Sequence, residues 1–125
     1  MWSFVLHFFN EIRTNGTADS YDCVSLDTFA GIQVKFASIP NDCTSFGPNS
    51  TWDELYYVDF APNGYVDGKV VFYKIDVDFS DLVLNAKKSE TFHDQQMQGR
   101  RPRFSIKNQL IKAYNINPYL LFLIA

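Results

Sequence analysis

The sequence predicts an α/β fold, a mixed β-sheet flanked by helices. Three observations predict it. Apolar residues recur at helical spacing near the start, at Phe4, Val5, Phe8, Phe9 and Ile12. Strand-like runs then follow one another, divided by Asn, Gly and Pro turns. Helical spacing returns near the end, through Leu110, Ile111 and Tyr114. At 125 residues the chain fits one domain, residues 1–125, and its 12 Phe and 7 Tyr can fill a proper core.

The elements follow in order. Trp2 to Arg13 reads as a helix that Asn15-Gly16 ends. Ser20 to Asp27 and Ile32 to Ser38 read as two strands joined by Thr28-Phe29-Ala30-Gly31. Pro40 to Thr51 is a loop, rich in Asn, Ser, Gly and Pro. Leu55 to Phe60 and Lys69 to Asp76 are strands around the turn-rich Pro62-Asn63-Gly64 and Asp67-Gly68. Ser80 or Asp81 caps a short helix through Leu82, Leu84 and Ala86. Arg103 to Ile106 is a short strand, and a helix from Ser105 or Ile106 runs until Pro118 stops it. The apolar tail Tyr119 to Ala125 is too short to span a bilayer, so it is expected to be buried in the core or against a second copy.

Composition narrows the function classes. Cys23 and Cys43 are too few for a zinc site and fit a reducing cytoplasm. Met1 to Phe9 lacks the basic start and cleavage site of a secretory signal, so a soluble cytoplasmic protein with no membrane partner is expected. The net charge of -3 conceals two unlike parts. Residues 1–94 carry all 14 acidic side chains against 6 basic ones, a balance of -8. Residues 95–125 carry Arg100, Arg101, Arg103, Lys107 and Lys112 with no acid, a balance of +5. Local potential steers a polyanion, so this segment is a candidate anion-binding surface, with a solvated helix end as the plain alternative.

The first hairpin holds the candidate chemistry. If Asp27 pairs with Ile32, Val24 lies opposite Lys35 and Asp22 opposite Ala37. Strand alternation then puts Asp22, Gln33 and Lys35 on one face. A carboxylate, a second oxygen ligand and a lysine suit a magnesium-dependent phosphodiesterase. The plain alternative is a half-exposed hairpin with ordinary polar residues. Asp19 and Asp27 compete with Asp22, and His7 and His93 read as structural or exposed.

Four blocks in order carry a resemblance: Asp19-Ser20-Tyr21-Asp22, Ile32-Gln33-Val34-Lys35, Thr44-Ser45-Phe46-Gly47-Pro48, and Asp94 to Ile106 with its Gln-Gly-Arg-Arg-Pro-Arg core. From about Asp19 to Pro118 the chain resembles a type II restriction endonuclease of the PD-(D/E)XK superfamily. It is similar to the small enzymes of Bacillus and Lactococcus that cut short GC-rich sites. Tyr21 replaces the motif's proline, and Gln33 replaces its second acid. The chain is short for the class, which implies a missing part of the amino-terminal helical region.

The resemblance implies a restriction-endonuclease-like core and Mg²⁺-dependent, sequence-specific cleavage of double-stranded DNA. It implies metal ligation by Asp22, the Gln33 amide and the Val34 carbonyl, with Lys35 at the attacking water and Glu11 as a further catalytic acid on the first helix. It implies DNA contacts from Ser45, Gln95, Gln98, Arg100, Arg101, Arg103 and Lys107, some reading bases and others clamping phosphates. A homodimer is expected for a palindromic site, alongside a methyltransferase acting on the same sequence. The other classes are a DNA-binding module silenced by Gln33, and a nicking or repair nuclease.

Overall fold

In a computed structural model of the chain, the residues described are 11–13, 23–25 and 30–123. Six strands form one sheet in the order β1 (Glu11–Arg13), β2 (Cys23–Ser25), β3 (Gly31–Ala37), β5 (Glu54–Asp59), β6 (Lys69–Ile75) and β10 (Leu120–Leu123). The sheet is mixed. β3 and β5 run parallel, with Gln33 beside Leu55 and Lys35 beside Tyr57, and every other neighbouring pair is antiparallel. A parallel pair needs a long crossover. Residues 38–53 provide it and carry β4 (Thr44–Ser45) on the way. Asp53 closes the crossover: its N–H donates to the Gly31 carbonyl at 2.8 Å and its carboxylate accepts the Gly31 N–H at 2.7 Å.

Strand alternation divides the core. One face buries Leu55, Tyr57 and Ile75 under Phe46, Phe79, Phe92, Phe104, Ile106 and Leu110. The other buries Ile32, Val34, Tyr56, Val58, Val70 and Phe72. Phe46 centres the first cluster. Its ring stacks on Phe104 at 5.8 Å and meets Trp52 and Phe92 at 5.3 Å each. Such contacts add to plain area burial.

Helix is scarcer than expected. Among the described residues there is one α-helix, α1 (Phe92–Met97), and a π-helical turn over Lys107–Lys112. A capping box starts α1: the Thr91 hydroxyl accepts the Asp94 N–H while the Asp94 carboxylate accepts the Thr91 N–H. Gly99, at φ 75°, follows the cap residue Gln98 in a conformation costly for any side chain.

Three expectations are corrected. Glu11–Arg13 are strand, not the end of a helix, because their backbone pairs with Cys23–Ser25; ladder pairing overrides the local apolar spacing, and Trp2 to Asn10 lie outside the described residues. The helix expected from Ser80 is instead β7 (Val83–Asn85), paired with β8 (Glu90–Thr91). Ser80 caps nothing there, because its N–H and hydroxyl both donate to Asp78 and spend it in a turn. The hairpin register also differs: Cys23 pairs with Ile32 and Val24 with Gly31, four positions from the expected ladder. The tail is half as expected. Leu120 and Phe122 pack on the second face, while Leu121 and Leu123 are 60% and 74% exposed on an edge strand.

Candidate active site

Lys35 and Gln33 share a face of β3, on the Leu55 and Tyr57 side. Gln33 is buried. Lys35 is half-buried, and its Nζ lies 4.9 Å from the centre of the Phe46 ring, a cation–π contact. An open depression of about 400 Å³ holds Lys35, Ser38, Asp42, Cys43, Thr44 and Ser45. A second depression, about 430 Å³, lies where β5 begins and β6 ends. Asp53, Asp76 and Asp78 line that one, so it repels a polyanion. The depression at Lys35 is the one of these two that carries a cation.

β4 brings a second segment to that depression. It pairs with β9 (Arg103–Phe104), so Ser45 lies opposite Arg103 and Thr44 opposite Phe104. The Phe46 N–H donates to the Pro102 carbonyl at 3.0 Å. Gln96 Nε2 donates to the Gly47 carbonyl at 2.9 Å. A Cβ at Gly47 would stand 3.4 Å from the Arg101 guanidinium, an ordinary contact, so Arg101 lies beside this turn. The Thr44–Pro48 block and the Arg100–Ile106 block, distant in sequence, are one unit beside Lys35.

Comparison with known proteins gives the family. A family model, the Bsp6I restriction endonuclease, matches residues 3–113. The chain belongs to the Bsp6I restriction endonuclease family. It is 37% identical over 78 residues to the type II restriction enzyme Bsp6I of Bacillus sp. (strain RFL6), an alignment covering 62% of this chain and 43% of that enzyme. The match thus spans less than half of the relative's length. No solved structure matches.

Within this family member the basic residues divide. Arg101 and Arg103 are exposed, Arg103 across the ribbon from Ser45. Arg100 is held instead by Glu90 at 3.1 Å and the Gln98 amide oxygen at 3.0 Å. Hydrogen bonds from Gln98, then Arg100, hold the Glu90 carboxyl below its usual range. Gln95 is buried. Lys107 turns inward, its Nζ 2.8 Å from the Asp59 carboxylate and 3.3 Å from the Ala61 carbonyl. Charge was legible from sequence; its partner was not.

Asp22 lies outside the described residues, and so do the side chain of Glu11 and the alternatives Asp19 and Asp27. Among the described residues no three His, Cys, Asp or Glu side chains cluster as a metal centre. What β3 offers a cation is neutral oxygen, from the Gln33 amide and the Val34 carbonyl. These are hard donors of the kind Mg²⁺ takes, but neither brings charge. Asp22 is the chain neighbour of Cys23, and Cys23 pairs with Ile32, the chain neighbour of Gln33. No described helix is long and apolar enough to cross a membrane.

Sequence reasoning missed Asp42 and Gln96. Asp42 is buried, and its two oxygens accept four hydrogen bonds. A sequence signal for the Gln96 contact existed: the Thr91-x-x-Asp94 box and Gly99 bracket a helix that puts Gln96 in reach of Gly47.

Proposed function

We propose that the chain is a Mg²⁺-dependent, sequence-specific endonuclease of double-stranded DNA, with a PD-(D/E)XK type of site. The observation that carries the reading is the β4–β9 ribbon, which sets the exposed Arg103 opposite Ser45 beside Lys35. Asp22, the Gln33 amide and the Val34 carbonyl hold the ion, with Glu11 the further candidate carboxylate. When bound, Mg²⁺ supplies Lewis-acid polarisation of the scissile phosphate and an acidified water. Lys35 orients the attacking water and offsets the charge that grows on the phosphate oxygens. The Phe46 ring beneath the ammonium keeps that charge in place.

Arg101, Arg103 and Ser45 make the DNA contacts, with guanine O6 and N7 as the targets of a bidentate arginine, whereas the Gln98 amide is engaged by Glu90 and Arg100. Arg100 and Lys107, held by Glu90 and Asp59, and the buried Gln95 serve the protein's own structure. The active form is a homodimer on a twofold site, with the edge strand β10 and its exposed Leu121 and Leu123 as the candidate contact. It acts in the cytoplasm beside a methyltransferase that protects the same sequence. Incubation with mixed-sequence plasmid and Mg²⁺ tests this. Discrete double-strand fragments from the parent chain, and none from Asp22→Ala or Lys35→Ala, are expected. Binding without cutting would favour a silenced DNA-binding module, and nicked circles a nicking nuclease.

A further inference from the structure

The β4–β9 ribbon is two residues long on each side, too short to hold its own geometry. One end is tied by the Phe46 to Pro102 bond and by Gln96 on Gly47. The other end is tied by four hydrogen bonds to one side chain, with the Asn108 amide donating to Asn41 Oδ1 at 3.0 Å beside it. Asp42 lines the same depression as Lys35 on β3 and Ser45 on β4. Its Oδ2 accepts the Thr44 hydroxyl at 2.6 Å and the Ile106 N–H at 2.8 Å. Its Oδ1 accepts the Ser105 hydroxyl at 2.9 Å and the Lys107 N–H at 3.0 Å. Thr44 belongs to β4, and Ser105 to Lys107 directly follow β9, so one carboxylate joins both strands of the ribbon at the same end. It also starts the π-helical turn whose Lys107 reaches Asp59 at the end of β5.

We infer that Asp42 is a positioning residue: its buried carboxylate fixes the ribbon carrying Ser45 and Arg103 relative to Lys35. The inference rests on the nuclease reading. A carboxylate suits the place because all four donors point at it and it offers only acceptors. An asparagine is nearly the same shape but turns an NH₂ toward one backbone N–H, which cannot rotate away. Asp42→Asn therefore loosens the ribbon while filling the same volume.

The test is single-turnover cleavage of a plasmid cut by the parent, with enzyme in excess and well below each variant's melting temperature. Asp42→Asn is expected to lower the rate constant by about 10- to 100-fold, as small misplacements in an active site do. Amplitude reports the folded fraction and the rate constant reports geometry, so a merely structural role would lower only the amplitude. Val70→Ala, in the opposite layer of the core, is the stability control, with a lower melting temperature and a parental rate constant. Should Asp42→Asn fail to fold, Thr44→Val and Ser105→Ala each remove one hydroxyl donor and leave both backbone bonds. Each should slow the rate constant by less than the asparagine would. Parental rate constants in the folded variants overturn the inference and leave the nuclease reading intact. A parent that cuts no DNA overturns both.

Discussion

Lys107→Ala removes the cation beside Asp59 and should cost far more stability than a surface lysine does. Asp59 is 1% exposed by its side chain and Lys107 14%, with 2.8 Å between the charges. Exposed ion pairs contribute about 0–1 kcal/mol, because water screens them and ordering the side chains costs entropy. Removing one partner of a buried pair costs about 3–5 kcal/mol, since the remaining charge is left uncompensated. Asp59 keeps one other bond, the Ala61 N–H at 2.9 Å, which puts the expected loss at the lower end, ~3 kcal/mol. For a domain of this size that is a fall in melting temperature of roughly 12 °C.

The assay is urea unfolding followed by fluorescence of Trp52 and the second tryptophan, Trp2, with the midpoint read at constant slope. Asp59→Asn with Lys107→Met should recover more than half of the loss, because the pair is then absent rather than broken. A cost below about 1 kcal/mol for Lys107→Ala would refute the buried-pair argument and return Lys107 to the surface set expected from sequence.

Three further outcomes are expected. Arg103→Ala should weaken cognate DNA binding by ~1–3 kcal/mol if the arginine reads guanine, or weaken all sequences alike with a shallower salt dependence if it clamps phosphate. Arg100→Ala, whose partners are Glu90 and Gln98, should do neither, so equal losses at both positions in a gel-shift titration would refute the division. Gln33→Glu should cut at the parental rate or faster and need less Mg²⁺ for half-maximal rate, because it restores a negative ligand; loss of cleavage would refute the ligand role. Hydrogen bonds from Thr91 hold the Asp94 carboxyl below its usual range, as those from Ser80 do for Asp78. A depressed folded-state value contributes stability above the ordinary carboxylate range of about 4 and loses it as pH falls through the lower value. Urea midpoints should therefore drop on acidification below that range, and less steeply for Asp94→Asn.

Local signals were legible. The alternation of Ile32 to Ser38, Leu55 to Phe60 and Lys69 to Asp76 placed β3, β5 and β6 within a residue or two, because strands buried on one face or both carry their pattern in the chain. The hairpin register was not legible. Thr28 to Gly31 reads locally as the turn, yet register depends on which rows of side chains the neighbouring strand buries, and the observed ladder lies four positions away. The stretch through Leu82, Leu84 and Ala86 reads as helix because three apolar residues within five fit either period, and only the pairing of Val83–Asn85 with Glu90–Thr91 decides between them.

The site shows the same division more sharply. Both family blocks, Thr44–Pro48 and Arg100–Ile106, stood out in the sequence, yet nothing local indicated that Ser45 would meet Arg103. Pairing over such a separation depends on the core beneath, where Phe46 and Phe104 stack at 5.8 Å. Those two rings alternate with the polar residues: Ser45 precedes one and Arg103 the other. Burial of the rings thus sets the register of their neighbours, and the aromatic core places the arginine. The basic run Arg100 to Lys107 then separates by partner. Arg100 meets the acid of β8 and Lys107 the acid of β5, whereas Arg103 follows the buried Pro102 and stays exposed. Of a segment with a balance of +5, the exposed Arg101 and Arg103 flank the buried Pro102, and Arg103 stands across the ribbon from Ser45, which lines the depression that holds Lys35.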